Sequence, residues 1–264
     1  MLGWSINLFR IFGIQLSVHA SFFLLLAYYA LDGWNAGGLP GMLWRVLLIV
    51  SFFGCVVLHE LGHSLTARRY GVNVPRILLM PIGGMAEFDR IPRRPSAELL
   101  ITAAGPAVNF LIVALLLPVI WGPLVSDEEF AEMSWQGFAI QLGIANLIMG
   151  GFNLLPVFPM DGGRIFRALL ATRLSYLRAT YWASVIGKVL ALLFALAALY
   201  LQHFLLAVLF GFILFAGDAE YRLVLRREQE AAYWAEMARR IKYVTPVTPV
   251  SDSPEPPLLD HGPN

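Results

Sequence analysis

Two imidazoles and a carboxylate fall within five residues in Val57-Leu58-His59-Glu60-Leu61-Gly62-His63-Ser64-Leu65. On an α-helix His59 and His63 are four positions apart and point about 40° from one another. Glu60 lies about 60° beyond His63, so all three occupy one sector. Gly62 lies outside it, where a second helix can approach. Imidazoles at this spacing can grip one Zn²⁺, and the carboxylate between them is placed to take a proton from an attacking water. The setting sharpens the pattern. Residues 47–56 just upstream are nearly all apolar. A charge at the centre of a membrane helix costs about 2.5–3.5 kcal/mol, so such groups usually face an interior and serve a function. Cys55 falls on the same face, one turn before His59, and reads as a small buried residue rather than a ligand.

The elements that must position these groups are those of a membrane protein. The chain has 264 residues, 58% hydrophobic and 14% charged. Soluble domains average about 25% charged residues. Mean hydropathy is +0.67. A net charge of +1 gives no hint of a nucleic-acid partner, and a single cysteine excludes an intramolecular disulfide. The first apolar stretch has no small-x-small cleavage site after it and is expected to be a retained span, not a cleaved signal. Six segments are apolar enough to cross a bilayer: residues 18–31, 42–66, 99–121, 137–157, 182–200 and 203–217. The last two are joined by almost nothing and form a tight hairpin. The fold class expected is an all-α polytopic membrane protein with about six transmembrane helices.

Loop charges orient it. Arg68, Arg69, Arg76, Arg90, Arg93 and Arg94 follow the second span, and Arg164, Arg167, Arg173 and Arg178 follow the fourth. The tail carries Arg222, Arg226, Arg227, Arg239, Arg240 and Lys242. Residues 122–136 hold Asp127, Glu128, Glu129 and Glu132 but no Lys or Arg. The positive-inside rule then puts both termini in the cytoplasm of a multi-pass cell-membrane protein, which requires an even number of spans. Lys188, inside the fifth, is expected to snorkel.

Two stretches do not read as helix. Residues 5–18 alternate around Gly13 and suggest a hairpin. Residues 77–88 are apolar but broken by Pro81, Gly83 and Gly84, too short to cross, and read as a strand-like or re-entrant loop. Residues 1–217 are expected to form the membrane-embedded domain. Residues 218–264 are expected to form a cytoplasmic helical extension ending in a Pro-rich disordered tail from 245 onward.

Catalytic zinc takes three protein ligands and keeps one open position. The pool for the third is His19, His203, His261 and Asp161. His203 starts the sixth span, on the acidic-loop side, and His261 is in the tail. Asp161 follows the fourth span, which runs toward the cytoplasm as the second does, so it emerges at the depth of His59. Asp161 could instead cap the helix that follows. His19 stays open.

His59-Glu60-Leu61-Gly62-His63, then Gly105-Pro106-Ala107-Val108-Asn109, then Asn153-Leu154-Leu155-Pro156-Val157-Phe158-Pro159-Met160-Asp161-Gly162-Gly163 resembles the site-2 protease family of intramembrane zinc metalloproteases. The resemblance covers roughly residues 5–217. It implies one Zn²⁺ per chain held by His59, His63 and Asp161, with Glu60 as catalytic base and Asn153 binding substrate or stabilising the oxyanion. It implies a helix bundle with a small membrane-associated sheet near the N-terminus, into which residues 5–18 and 77–88 fit. Many relatives carry a CBS pair or a PDZ domain. No stretch here is long enough for either, and their regulation is not expected.

The activity implied is hydrolysis of a peptide bond in or near the transmembrane segment of a membrane-protein substrate, with the bilayer as the other partner. The Gly83-Gly84 stretch would receive the unwound substrate as an added strand. A non-catalytic zinc-binding protein that holds partner helices would not need Glu60. A metal transporter would spread polar residues along a route rather than cluster them at one depth.

Overall fold

A computed structural model of the chain describes residues 4–89, 92–125 and 133–242. Element order is β1 (Ser5–Ile11), β2 (Ile14–His19), α1 (Ser21–Arg69), β3 (Arg76–Met80), β4 (Gly83–Ala86), α2 (Pro95–Val125), α3 (Trp135–Asn153), α4 (Asp161–Ala171), α5 (Tyr176–Tyr200) and α6 (Phe204–Lys242). Residues divide into two compact units, Met1–Arg222 and Leu223–Asn264. In the second, α6 runs on to Lys242 and is exposed from Gln229 to Arg240.

The sheet order is β1-β2-β3-β4. β1 and β2 form the hairpin expected around Gly13. Its two-residue turn puts Phe12 at φ 50° and Gly13 at φ 78°, the left-handed pair that matches strand twist. The Phe12 carbonyl accepts a hydrogen bond from Arg68 at the end of α1, which ties the turn to that helix. β2 and β3 pair in parallel across the α1 crossover. They are the buried strands: Ile14, Leu16, Val18, Ile77 and Leu79 pack with Phe53, Val56, Val57 and Leu61 of α1. β3 and β4 pair antiparallel, so residues 77–88 form a second hairpin and β4 is an edge.

α1 is two helical arms joined at a kink. Gly37 and Gly38 leave helical geometry there, with Gly38 at φ 60°, and Pro40 follows. The expected span at 42–66 falls within the second arm, and most of that at 18–31 within the first, its start lying in β2. Among the described residues four helices are long and apolar enough to cross a membrane: Ser21–Arg69, Pro95–Trp121, Tyr176–Tyr200 and Phe204–Arg240. The expected span at 137–157 falls largely in α3, a 19-residue helix that is not among the four. It carries Gln136, Gln141, Asn146 and Asn153, which lower its apolar character. α5 and α6 are the expected hairpin. Leu205, Val208 and Phe215 of α6 lie exposed on a surface suited to lipid.

Two charges have partners that their sequence positions do not announce. Lys188 Nζ donates to Asp218 Oδ1 of α6 at 2.7 Å. Arg167, counted with the loop charges, is fully buried. Asp127, the acidic loop around it, Arg90 and the Pro-rich tail lie outside the described residues.

Candidate active site

α1 and α2 meet closely where it matters. A Cβ on Gly62 would lie 2.7 Å from the Ala104 carbonyl oxygen, so only glycine admits α2 at this point. One residue on, a Cβ on Gly105 would overlap the His63 ring and lie 2.8 Å from His59 Nε2. Gly105 is thus the floor on which both imidazoles rest.

Each ring is fixed from behind. His63 Nδ1 lies 2.8 Å from the Ile101 carbonyl oxygen. A carbonyl only accepts, so Nδ1 carries the proton there. His59 Nδ1 lies 2.5 Å from Asn109 Oδ1. Asn109 is itself oriented, since its Nδ2 donates to Asn146 Oδ1 at 2.9 Å. With both Nδ1 atoms donating, the neutral rings turn the lone pairs of both Nε2 atoms inward.

Asp161 completes the set. α4 begins at Asp161, and Met160, the residue in the capping position, makes no side-chain cap. Gly162 and Gly163 let this first turn sit directly on the preceding chain. A Cβ on Gly162 would strike the Leu154 and Leu155 carbonyls, and one on Gly163 would lie 2.7 Å from Phe158 N. Asp161 Oδ2 then stands 3.3 Å from His59 Nε2 and 3.1 Å from His63 Nε2, while the two Nε2 atoms are 3.1 Å apart.

These three atoms form a nearly equilateral triangle. Tetrahedral zinc with bonds of 2.0–2.1 Å would space its ligand atoms about 3.3 Å apart. The donor set is two imidazole nitrogens and a carboxylate oxygen, buried and braced from outside, so it fits zinc.

The other expected residues fall as follows. Glu60 faces β4: a Cβ on Gly84 would lie 2.6 Å from Glu60 Cγ. Gly83 sits at φ 134°, which a side chain rarely adopts. Asn153 turns its amide back, Nδ2 donating to the Met149 carbonyl at 3.0 Å. His19 is outside the site; its Nδ1 lies 2.7 Å from Ser21 Oγ at the start of α1. Cys55 is buried and not part of the cluster.

The family model for Peptidase family M50 matches residues 47–126 and 122–194, which hold His59, His63 and Asp161. The chain belongs to Peptidase family M50. It is 39% identical to a zinc metalloprotease of Methanocaldococcus jannaschii over 262 residues, 98% of this chain and 72% of that one. It is 32% identical over 238 residues to Rip3 of Mycobacterium tuberculosis, 86% of this chain and 58% of that one. The solved structure of the site-2 protease from Methanocaldococcus jannaschii superposes with a TM-score of 0.58 at 38% identity, covering 83% of this chain and 95% of that one.

Proposed function

We propose that this M50 chain is an intramembrane zinc metalloprotease whose ligands are His59, His63 and Asp161 and whose general base is Glu60. The observation that carries the reading is the triangle of two Nε2 atoms and one carboxylate oxygen, with sides of 3.1, 3.1 and 3.3 Å. Zinc held there by His59, His63 and Asp161 would supply Lewis-acid chemistry toward the scissile carbonyl and the attacking water. Asn109 and the Ile101 carbonyl keep the rings from rotating out of register. Glu60 takes the water's proton and returns it to the leaving amine.

The substrate is a segment of a membrane protein. Its peptide bonds are shielded while it is helical, so it must be extended locally. Among the described residues β4 is the last strand of the sheet and lies against Glu60, which suits addition of the substrate as a further strand. Gly83 and Gly84 leave the first half of that strand without side chains. Asn153 would assist by turning its amide from Met149 toward the substrate or the developing oxyanion. A non-catalytic zinc-binding role leaves Glu60 beside an open strand edge without a task.

The bilayer topology proposed is six crossings: the two arms of α1, then α2, α3, α5 and α6, with both termini cytoplasmic. The distribution of arginines supports it. The helix beyond Arg222 then extends on the cytoplasmic side.

The direct experiment uses detergent-purified protein and a panel of transmembrane peptides. Cleavage should be lost on chelation and restored by zinc. Glu60→Gln should keep its zinc yet lose at least ~10²-fold in rate, the scale of a missing general base. Cleavage by Glu60→Gln at the parent rate would refute the mechanism.

A further inference from the structure

A second buried polar assembly lies beside the site. Arg167 of α4 and Glu98 in the first turn of α2 are both fully enclosed. Arg167 Nε and Nη2 donate to Glu98 Oε1 at 2.9 and 2.5 Å, and Nη1 donates to Glu220 Oε1 of α6 at 2.9 Å. The guanidinium also lies over the rings of Phe158 and Tyr176, 5.1 Å from each centroid. One side chain thereby joins α2, α4, α6, the start of α5 and the chain just ahead of α4.

Stability alone is a poor reason for this arrangement. A buried ion pair replaced by well-packed apolar groups is often no less stable. What a guanidinium provides is direction: a rigid planar fork, with two flat faces for aromatic rings. Its placement in the chain is telling. Phe158 precedes Asp161 by three residues and Arg167 follows it by six. Gripping both sides of Asp161, the fork holds α4 and the residue 158 segment as one body against α2. The other end of that α2 contact region carries Ile101, Gly105 and Asn109, which place the two imidazoles. α2 is therefore a common reference for all three ligand atoms.

We propose that Arg167 is a positioning residue: through Glu98 and Phe158 it sets where the Asp161 carboxylate comes to rest against His59 and His63. This rests on the reading of Asp161 as a zinc ligand. The readout is zinc affinity, measured by competition with a chelator on folded, detergent-purified protein, alongside the melting temperature. Arg167→Met should weaken zinc binding by ~10- to 100-fold, the usual effect of losing an outer support of a metal ligand. Arg167→Lys keeps the charge but not the fork and should fall between Arg167→Met and the parent. Where Arg167→Met does not fold, Arg167→Lys decides. Ile14→Ala, a core truncation in β2 outside the contacts of Arg167, is the control for general destabilisation. Parent-like zinc affinity in Arg167→Met and Arg167→Lys would overturn the proposal. So would equal weakening in Ile14→Ala at a matched melting temperature, because zinc would then simply follow stability. Asp161→Asn separates the two readings. Unchanged zinc affinity in it removes Asp161 as a ligand and this proposal with it. Weakened affinity in Asp161→Asn beside normal affinity in the Arg167 variants removes this proposal alone.

Discussion

Asn109→Leu isolates what holds His59. Leucine has the same number of side-chain heavy atoms and the same branching at Cγ, so the shape of the contact between α2 and α3 is largely kept while the amide is lost. Two partners are stranded. The His59 Nδ1–H loses the acceptor 2.5 Å away, and Asn146 Oδ1 loses the donor 2.9 Å away. Asn109 and Asn146 are both fully buried, so water does not readily replace the lost bonds. Each stranded polar group costs about 1–3 kcal/mol. The share that falls on His59 acts on the metal, since an unanchored ring samples other orientations and the other tautomer. One such bond converts to a ~10- to 100-fold loss of zinc affinity, which matches the effect typical of outer supports. The share on Asn146 lowers the melting temperature without touching the metal. Asn109→Asp is the matched variant: its carboxylate remains an acceptor for His59, so zinc affinity should stay near the parent's. The assay is chelator competition on purified protein, with cleavage of a transmembrane peptide measured at saturating zinc. Zinc affinity in Asn109→Leu within ~2-fold of the parent would refute the idea that this hydrogen bond orients the ligand.

Other outcomes follow from the same geometry. Gly105→Ala should abolish zinc binding in a protein that still inserts, because the new methyl occupies the space of the His63 ring; full zinc content by metal analysis counts against the site. Asp161→Asn should lose zinc and proteolysis together, with His59→Ala as the positive control; Met160 rather than Asp161 occupies the cap position, so a helix-capping role predicts no such loss. Gly84→Val should keep zinc but lose cleavage by at least ~10-fold, because its side chain must displace Glu60 and crowds the strand edge; parent-like turnover would remove β4 from the reaction. Reporter fusions after Arg94, Arg178 and Arg240 should read cytoplasmic and one at Asp127 exterior; a cytoplasmic signal at Asp127 contradicts the six crossings.

The parts legible in the sequence are those carried by short-range pattern. The i, i+4 spacing of His59 and His63 needs only helix geometry. The hairpin at Gly13 and the strand-like character of residues 77–88 follow from alternation and glycine placement. What the pattern does not carry is partnership across the fold. Arg167 looks like one more arginine in a loop-side cluster, and only the packing of α2, α5 and α6 around it reveals a buried fork. Lys188 reads as a lone charge able to reach an interface until Asp218 is seen across the α5–α6 contact. Asn109 stands in the Gly105-Pro106-Ala107-Val108-Asn109 stretch, yet nothing local says that it meets a histidine fifty positions earlier. A signal did exist for it: an amide within an apolar helix is costly unless it is paired, and Asn109 and Asn146 are such residues on neighbouring helices.

That pairing bears on why the site tolerates a membrane setting at all. Away from water, an imidazole or carboxylate is stable only if every polar atom has a partner. Here both outer ring nitrogens face acceptors on α2, and the three inner atoms converge where a bound Zn²⁺ would be their shared partner. The glycines do the complementary work. Gly62 and Gly105 bring α2 against α1, Gly162 and Gly163 seat α4 on the chain before it, and Gly84 lets a strand edge lie against Glu60. A side chain at any of these positions separates a polar group from its partner rather than merely loosening a core. Substitution there should therefore register in zinc occupancy or turnover before it registers in folding. This ordering distinguishes glycines that assemble the site from those at the α1 kink, such as Gly38, around whose Cβ position there is open space.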